Sequence, residues 1–215
     1  MNYIQLVNSV LRRLRETEVS SVTDNAYSKL IGEFVNDAKR QVEDAYAWNA
    51  LSETLSASTT NGIFNYVLEG SGQRFRMIDV LNDTSNSVVQ NATTRWMNEQ
   101  FLLTSVQRGS PAYYNFNGTD SNGDTQVDLF PIPNGVYEIR FNIIKPQVAL
   151  SADADTLLVP SEPVIFNATA RAIAERGEDG GILAGEMAFI YNQSLADAIA
   201  IESGRYIEES AWMAI

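Results

Sequence analysis

TQVDLFPIPNGVYEIRFNII, residues 125–144, holds two apolar-alternating runs parted by a proline pair and an Asn-Gly step. In the second run the spacing sets Tyr137, Ile139, Phe141 and Ile143 on one face and Glu138, Arg140 and Asn142 on the other. A period of two with one apolar and one polar face predicts a half-buried strand of an antiparallel sheet. Pro131 and Pro133 lack the N–H that a ladder requires, so they end the first run or mark an edge.

Upstream, PAYYNFN (111–117) is a third run, joined to TQVDLF by Asn117-Gly118 and Asn122-Gly123. Such pairs accept the positive φ of tight hairpins. GIFNYVLEG (62–70) and RFRMIDVL (74–81) flank Gly70-Ser71-Gly72, which predicts a second hairpin. Between these lies a short amphipathic stretch, roughly 92–105, with Trp96, Met97 and Phe101.

Both ends of the chain have helical spacing. Tyr3, Val7, Val10, Leu11 and Leu14 form one stripe. Tyr27, Leu30, Ile31, Phe34, Val35, Ala38, Val42, Ala45 and Tyr46 form a longer one, with Thr23 or Asp24 as N-cap and an end near Trp48. Near the C-terminus, Ser161-Glu162-Pro163 offers a capping hydroxyl and a first-turn proline. Phe166, Ala170, Ile173 and Ala174 then make a buried stripe, and a second helix carries Leu183, Met187, Ile190, Tyr191, Leu195, Ala198 and Ile199.

The fold class expected is α+β. A helical bundle, built from the long N-terminal helix and a C-terminal helical hairpin, carries an inserted antiparallel β-sheet region. Residues 1–50 and 150–205 form the helical domain, 51–149 the β-rich insertion with its short helix near 92–105, and 206–215 a C-terminal tail.

Composition bounds the chemistry. The chain has no cysteine and no histidine. Disulfides, cysteine zinc sites, thiol nucleophiles and every Ser-His or Cys-His pair are therefore excluded, and a binding or structural role is expected rather than an enzyme. The net charge is 15 − 27 = −12, which disfavours a grip on nucleic-acid phosphates. Residues 150–215 contribute eleven acids against three arginines, a net of −8. No apolar run approaches the roughly 20 residues of a membrane span, and MNYIQLVNSVLRRLRE reads as an amphipathic helix rather than a signal peptide.

Few residues look chemical. Asp120, Asn122 and Asp124 match the first three alternating positions of an EF-hand loop. The glycine falls at position 4 instead of 6, however, and position 12 is Pro131 instead of Glu. A hairpin tip is the expectation, with a weak calcium site as its alternative. Asp153 with Asp155, and Glu175 with Glu178 and Asp179, read as solvated loop acids. RGEDGG (176–181) follows a helix and lacks the Gly-Lys-Ser/Thr ending of a phosphate loop. Trp48 and Trp96 read as core. Trp212 lies in an apolar tail with Tyr206, Ile207, Met213 and Ile215, and either packs on its own domain or anchors in another subunit.

The order of these pieces resembles the head-to-tail adaptor proteins of short-tailed phages, the T7-like tail tubular protein A group. VDLFPIPNGVYEIRF and LLVPSEPVIFNATARAIAERGEDGG carry the likeness, which covers residues 5–205 in layout. The resemblance implies a virion neck protein assembled in the host cytoplasm, without membrane, cofactor or catalytic residue. It implies a homo-oligomeric ring of twelve copies between the portal protein and the tail nozzle protein, with genomic DNA passing through unread. Under it, Tyr206, Ile207, Trp212, Met213 and Ile215 are expected to meet the portal. Asp120, Asn122, Asp124 and Ser71 are expected to meet the nozzle or tail fibres. Alternatives are a tail-completion or stopper protein, or a carbohydrate- or calcium-binding β module using Tyr113, Tyr114 and Phe116.

Overall fold

The computed structural model describes residues 1–177 and 181–205. It is an α+β protein whose chain divides into two compact units, Met1–Leu51 with Gln147–Ile215, and Ser52–Pro146. Among the described residues no helix is long and apolar enough to cross a membrane.

In chain order the elements begin with helix α1 (Tyr3–Arg13) and helix α2 (Ala26–Ala45). The β-rich unit follows with strands β1 (Ser52–Ser58), β2 (Asn65–Val67), β3 (Arg76–Asn82), β4 (Ser87–Val88) and β5 (Gln90–Asn91). Helix α3 (Thr94–Phe101) precedes strands β6 (Arg108–Gly109), β7 (Tyr113–Thr119), β8 (Thr125–Phe130), β9 (Ile132–Pro133) and β10 (Glu138–Ile144). Helices α4 (Ser161–Arg176) and α5 (Ile182–Gly204) complete the first unit.

Helix α1 starts in a capping box. The Asn2 side chain accepts the Gln5 N–H at 3.0 Å and the Gln5 side chain accepts the Asn2 N–H at 3.1 Å. Helix α2 is shorter at both ends than its apolar period predicts, about 30 Å for 20 residues. Neither Thr23 nor Asp24 caps it. The Asp24 carboxylate is engaged by the Ser20 and Ser21 amides, so Asn25 caps instead, paired with Ser28. At the other end Trp48 is fully buried and its indole N–H donates to the Val42 carbonyl at 2.7 Å. That satisfies one of the last-turn carbonyls left without an intrahelical partner, and the chain leaves the helix at Tyr46.

The interior of α2 is also more polar than its stripe suggests. Lys39 and Glu43 are buried and paired at 3.0 Å. Together they clamp Gln147: Lys39 Nζ donates to its carbonyl at 2.6 Å and Glu43 accepts its N–H at 3.1 Å. Asn36 makes the same two-way bond to the backbone of Leu150. Side chains of one helix thus act as a partner strand for residues 147–150. Gly32 allows α1 and α2 to approach, since a Cβ there would lie 2.4 Å from the Tyr3 hydroxyl and 2.9 Å from Val22.

The β-rich unit contains two four-stranded sheets, β1-β10-β3-β4 and β2-β8-β7-β5, with β6 and β9 as a small parallel pair. Their apolar faces share one core of Leu68, Val80, Val89, Tyr114, Val127, Leu129, Ile139, Phe141 and Ile143. The alternation in β10 is as expected, with Ile139, Phe141 and Ile143 fully buried and Arg140 and Asn142 bonded to Asp83 and Asp79 on the other face. The β7–β8 hairpin forms as expected. The second hairpin does not, because β2 pairs with β8 whereas β3 pairs with β10. VDLF and YEIRF lie in different sheets. Each junction crosses from one sheet to the other, so the two apolar faces cover each other across the core. Strand β1, SETLSAS, gave no signal because it is a polar edge strand, paired on one side only with β10. Helix α3 spans eight residues instead of roughly fourteen; Met97 is buried and Trp96, half-buried, packs on Tyr113 and Phe130.

Helix α4 packs on α1, α2 and α5. Its N-cap is Pro160, and no side chain caps it, so the Ser161 hydroxyl does not play the predicted part. The buried face is Pro163, Val164, Ile165, Asn167, Ala168, Thr169 and Ala172. Phe166, Ala170 and Ile173 are only half-buried and Ala174 is exposed, a rotation of the expected stripe. The reason is that α4 has three neighbours, so no single stripe describes its contacts.

Candidate docking surfaces

Two regions bear on docking: the hairpin tip of the β-rich unit, which holds predicted contact residues, and the outer side of α5 with the corner beside it, where apolar side chains are exposed.

At the tip, the two predicted loops are one structure. Asp124 Oδ2 accepts the Gly70 N–H at 3.0 Å and Oδ1 accepts the Gly72 N–H at 2.9 Å. Asp120 Oδ1 in turn accepts the Asn122 and Asp124 amides at 2.9 and 2.8 Å. Ser71 is buried; its hydroxyl accepts the Thr125 N–H at 3.0 Å and donates to the Gly72 carbonyl. The bonds from Gly72 and Gly70, with the charge of Lys145 adding to them, hold the Asp124 carboxyl below the usual carboxylate range. The loop is a hairpin tip whose oxygens are turned onto its own backbone amides. Among the described residues no group of three or more acidic side chains gathers as a metal cluster. Asp120, Asn122 and Asp124 are therefore held in place at the surface, while Ser71 is buried and positions the loop from beneath.

The acids of residues 151–155 act in the same way. Asp155 accepts the Ser151 and Ala152 amides, which lower its pKa, and Asp153 accepts the Val22 N–H at 2.9 Å. They build a turn rather than merely facing water.

Helix α5 is the unexpected region. It is 23 residues long and rich in apolar side chains, yet Glu202 is its one buried residue, accepting the Asn49 N–H and pairing with Arg205. Of the helical stripe read from the sequence, Met187, Ile190, Tyr191, Leu195, Ala198 and Ile199 are only half-buried and Leu183 is exposed. On the other side Ile182, Phe189 and Ile201 are 73%, 63% and 70% exposed. A helix apolar all round belongs inside a larger body. ILAGEMAFIYNQSLADAIAIESG carries apolar residues on every side, interrupted on the outer one by Glu186, Gln193 and Asp197. Glu186, between Ile182 and Phe189 on the outer side, is exposed.

Beside the start of α5 lies a cleft of about 460 Å³, with Leu14, Ile173 and Met187 as its apolar walls and Arg13, Arg15 and Arg176 at its edge. Arg176 is fixed by Tyr27 and Glu16, and the Tyr27 bond is the main cause that keeps its charge firmly bound. Arg13 stacks over Phe166. The exposed Arg15 side chain has no hydrogen bond or ion pair among the described residues. The predicted portal contacts Tyr206, Ile207, Trp212, Met213 and Ile215 lie outside the described residues.

A family model described as "SU10 adaptor protein" matches residues 1–213. No curated protein matches the chain.

Proposed function

Since this chain belongs to the SU10 adaptor protein family, a phage head-to-tail adaptor family, we propose that it forms a homo-oligomeric ring of twelve copies joining the portal to the tail nozzle. The family is structural, and association with phage portal and tail components and a place in the virion follow from membership. The ring is supported chiefly by α5, whose outer residues Ile182, Phe189 and Ile201 find no cover among the described residues. Packing copies around a closed cyclic axis covers such a surface without leaving a free end. The chain assembles in the host cytoplasm, and the genome passes through the ring without specific binding, since a net charge of −12 repels phosphates.

In this reading the helical unit and residues 206–215 meet the portal. The tip at Asp120, Asn122 and Asp124, supported by Ser71, meets the nozzle or the fibres. Quantitative mass spectrometry of purified particles tests the proposal by counting this chain against the portal protein. A ratio near one to one is expected; absence from intact particles overturns it.

A further inference from the structure

We infer that neighbouring copies join by a heterologous contact in which the outer face of α5 on one copy enters the Arg15 cleft of the next. This rests on the ring proposed above and adds which two surfaces meet. A ring built from one kind of chain needs two different, complementary patches per copy. The helical unit carries such a pair. Ile182, Glu186 and Phe189 fall at i, i+4 and i+7, so they form one row along α5. All three are exposed, and Glu186 has no ion-pair partner among the described residues. The cleft offers the converse: apolar walls at Leu14, Ile173 and Met187 for Phe189, and, for Glu186, Arg15, which has no partner among the described residues. Helix α5 holds three acids and no cation, whereas the cleft is lined by Arg13, Arg15 and Arg176, the last of them paired with Glu16. Charge therefore favours the contact between different patches and opposes α5 meeting α5.

The backbone at Arg15 points the same way. Helix α1 ends with the Glu16 N–H on the Leu11 carbonyl and the Arg15 N–H on the Arg12 carbonyl. That is a Schellman ending, and it puts Arg15 in the left-handed region at φ 60°. Glycine fits that position without a Cβ penalty. An arginine there is adverse for the isolated helix end, and a use for its side chain outside the copy accounts for it.

The test is sedimentation of the full chain, alone and with portal present, for wild type, Arg15→Glu, Glu186→Arg and the doubly exchanged chain. Each single exchange is expected to weaken assembly at least tenfold, and the double exchange to restore most of it. Arg15→Gly separates association from folding: its melting temperature should equal or exceed that of wild type while its assembly is lost. Wild type that never associates sinks the ring and this contact together. Wild-type assembly with both single variants unimpaired, or with no recovery in the double exchange, overturns the contact alone. Binding of wild type to a DNA duplex that Arg15→Glu abolishes, with assembly intact, would assign the cleft to phosphates and overturn it too.

Discussion

Strand β10 and helix α5 are both apolar-rich, and the chain treats them in opposite ways. In β10 the inward residues Ile139, Phe141 and Ile143 are wholly covered, because two sheets of the same unit close over them. In α5 the one covered residue is an acid, while Ile182, Phe189 and Ile201 face outward. Strand β10 has its apolar face satisfied within its own unit, although Leu102, Val136 and Val88 stay exposed elsewhere in that unit. Helix α5 leaves Ile182, Phe189 and Ile201 uncovered among the described residues, and large exposed apolar surface marks interaction sites. Stability and assembly should therefore separate cleanly between the two.

The largest effect expected is in the closed cores. Phe141→Ala or Trp48→Ala should each cost about 3–5 kcal/mol in denaturant unfolding, since both side chains are fully buried. A loss of under about 1 kcal/mol for Phe141→Ala would mean that the sheets do not close as described. A similar loss, about 3–5 kcal/mol, is expected for Lys39→Met, which removes the cation paired with the buried Glu43 carboxylate. The double change Lys39→Met with Glu43→Leu should recover much of it, and a failure to recover would show that the Gln147 clamp matters more than the charge pair. Gly32→Ala forces a Cβ against Tyr3 and Val22 and should cost about 1–3 kcal/mol.

On the other side of the comparison, Phe189→Asp should change unfolding by no more than about 0.5 kcal/mol, as exposed positions usually do, while abolishing assembly in sedimentation. A large stability loss would show that α5 is covered within its own chain. The smallest effect concerns pH. Asp124 and Asp155 have folded pKa values held below the ordinary carboxylate value of about 3.9 by backbone amides. Such groups contribute stability that is complete above the unfolded value and is lost as pH falls through the lowered folded value. Asp124→Asn should therefore flatten the acid limb of a thermal-stability profile below about pH 4, without changing the plateau's dependence on pH near neutrality.

Much was legible in the residues themselves. The two-residue period of β10 identified its buried face, Asn-Gly pairs marked the β7–β8 tip, and the absence of histidine and cysteine narrowed the chemistry. These are local properties: side-chain alternation, turn geometry and ligand inventory depend on neighbours in the chain. The order of elements likewise carried the likeness to head-to-tail adaptors, and the chain belongs to such a family. What stayed hidden depended on partners distant in sequence. Strand β1 owes its existence to β10, some 80 to 90 positions away, so its polar residues gave no periodic signal. The caps of α2 moved because Asp24 bonds backward to Ser20 and Ser21 and Trp48 reaches back to Val42. The sheet crossings between β2 and β3, and between β8 and β10, were decided by which apolar faces could cover each other. The exposure of α5 is the plainest case. Its apolar composition speaks for burial, and only the tertiary structure shows that, among the described residues, the outer face is left uncovered, because α4 packs on one side of it.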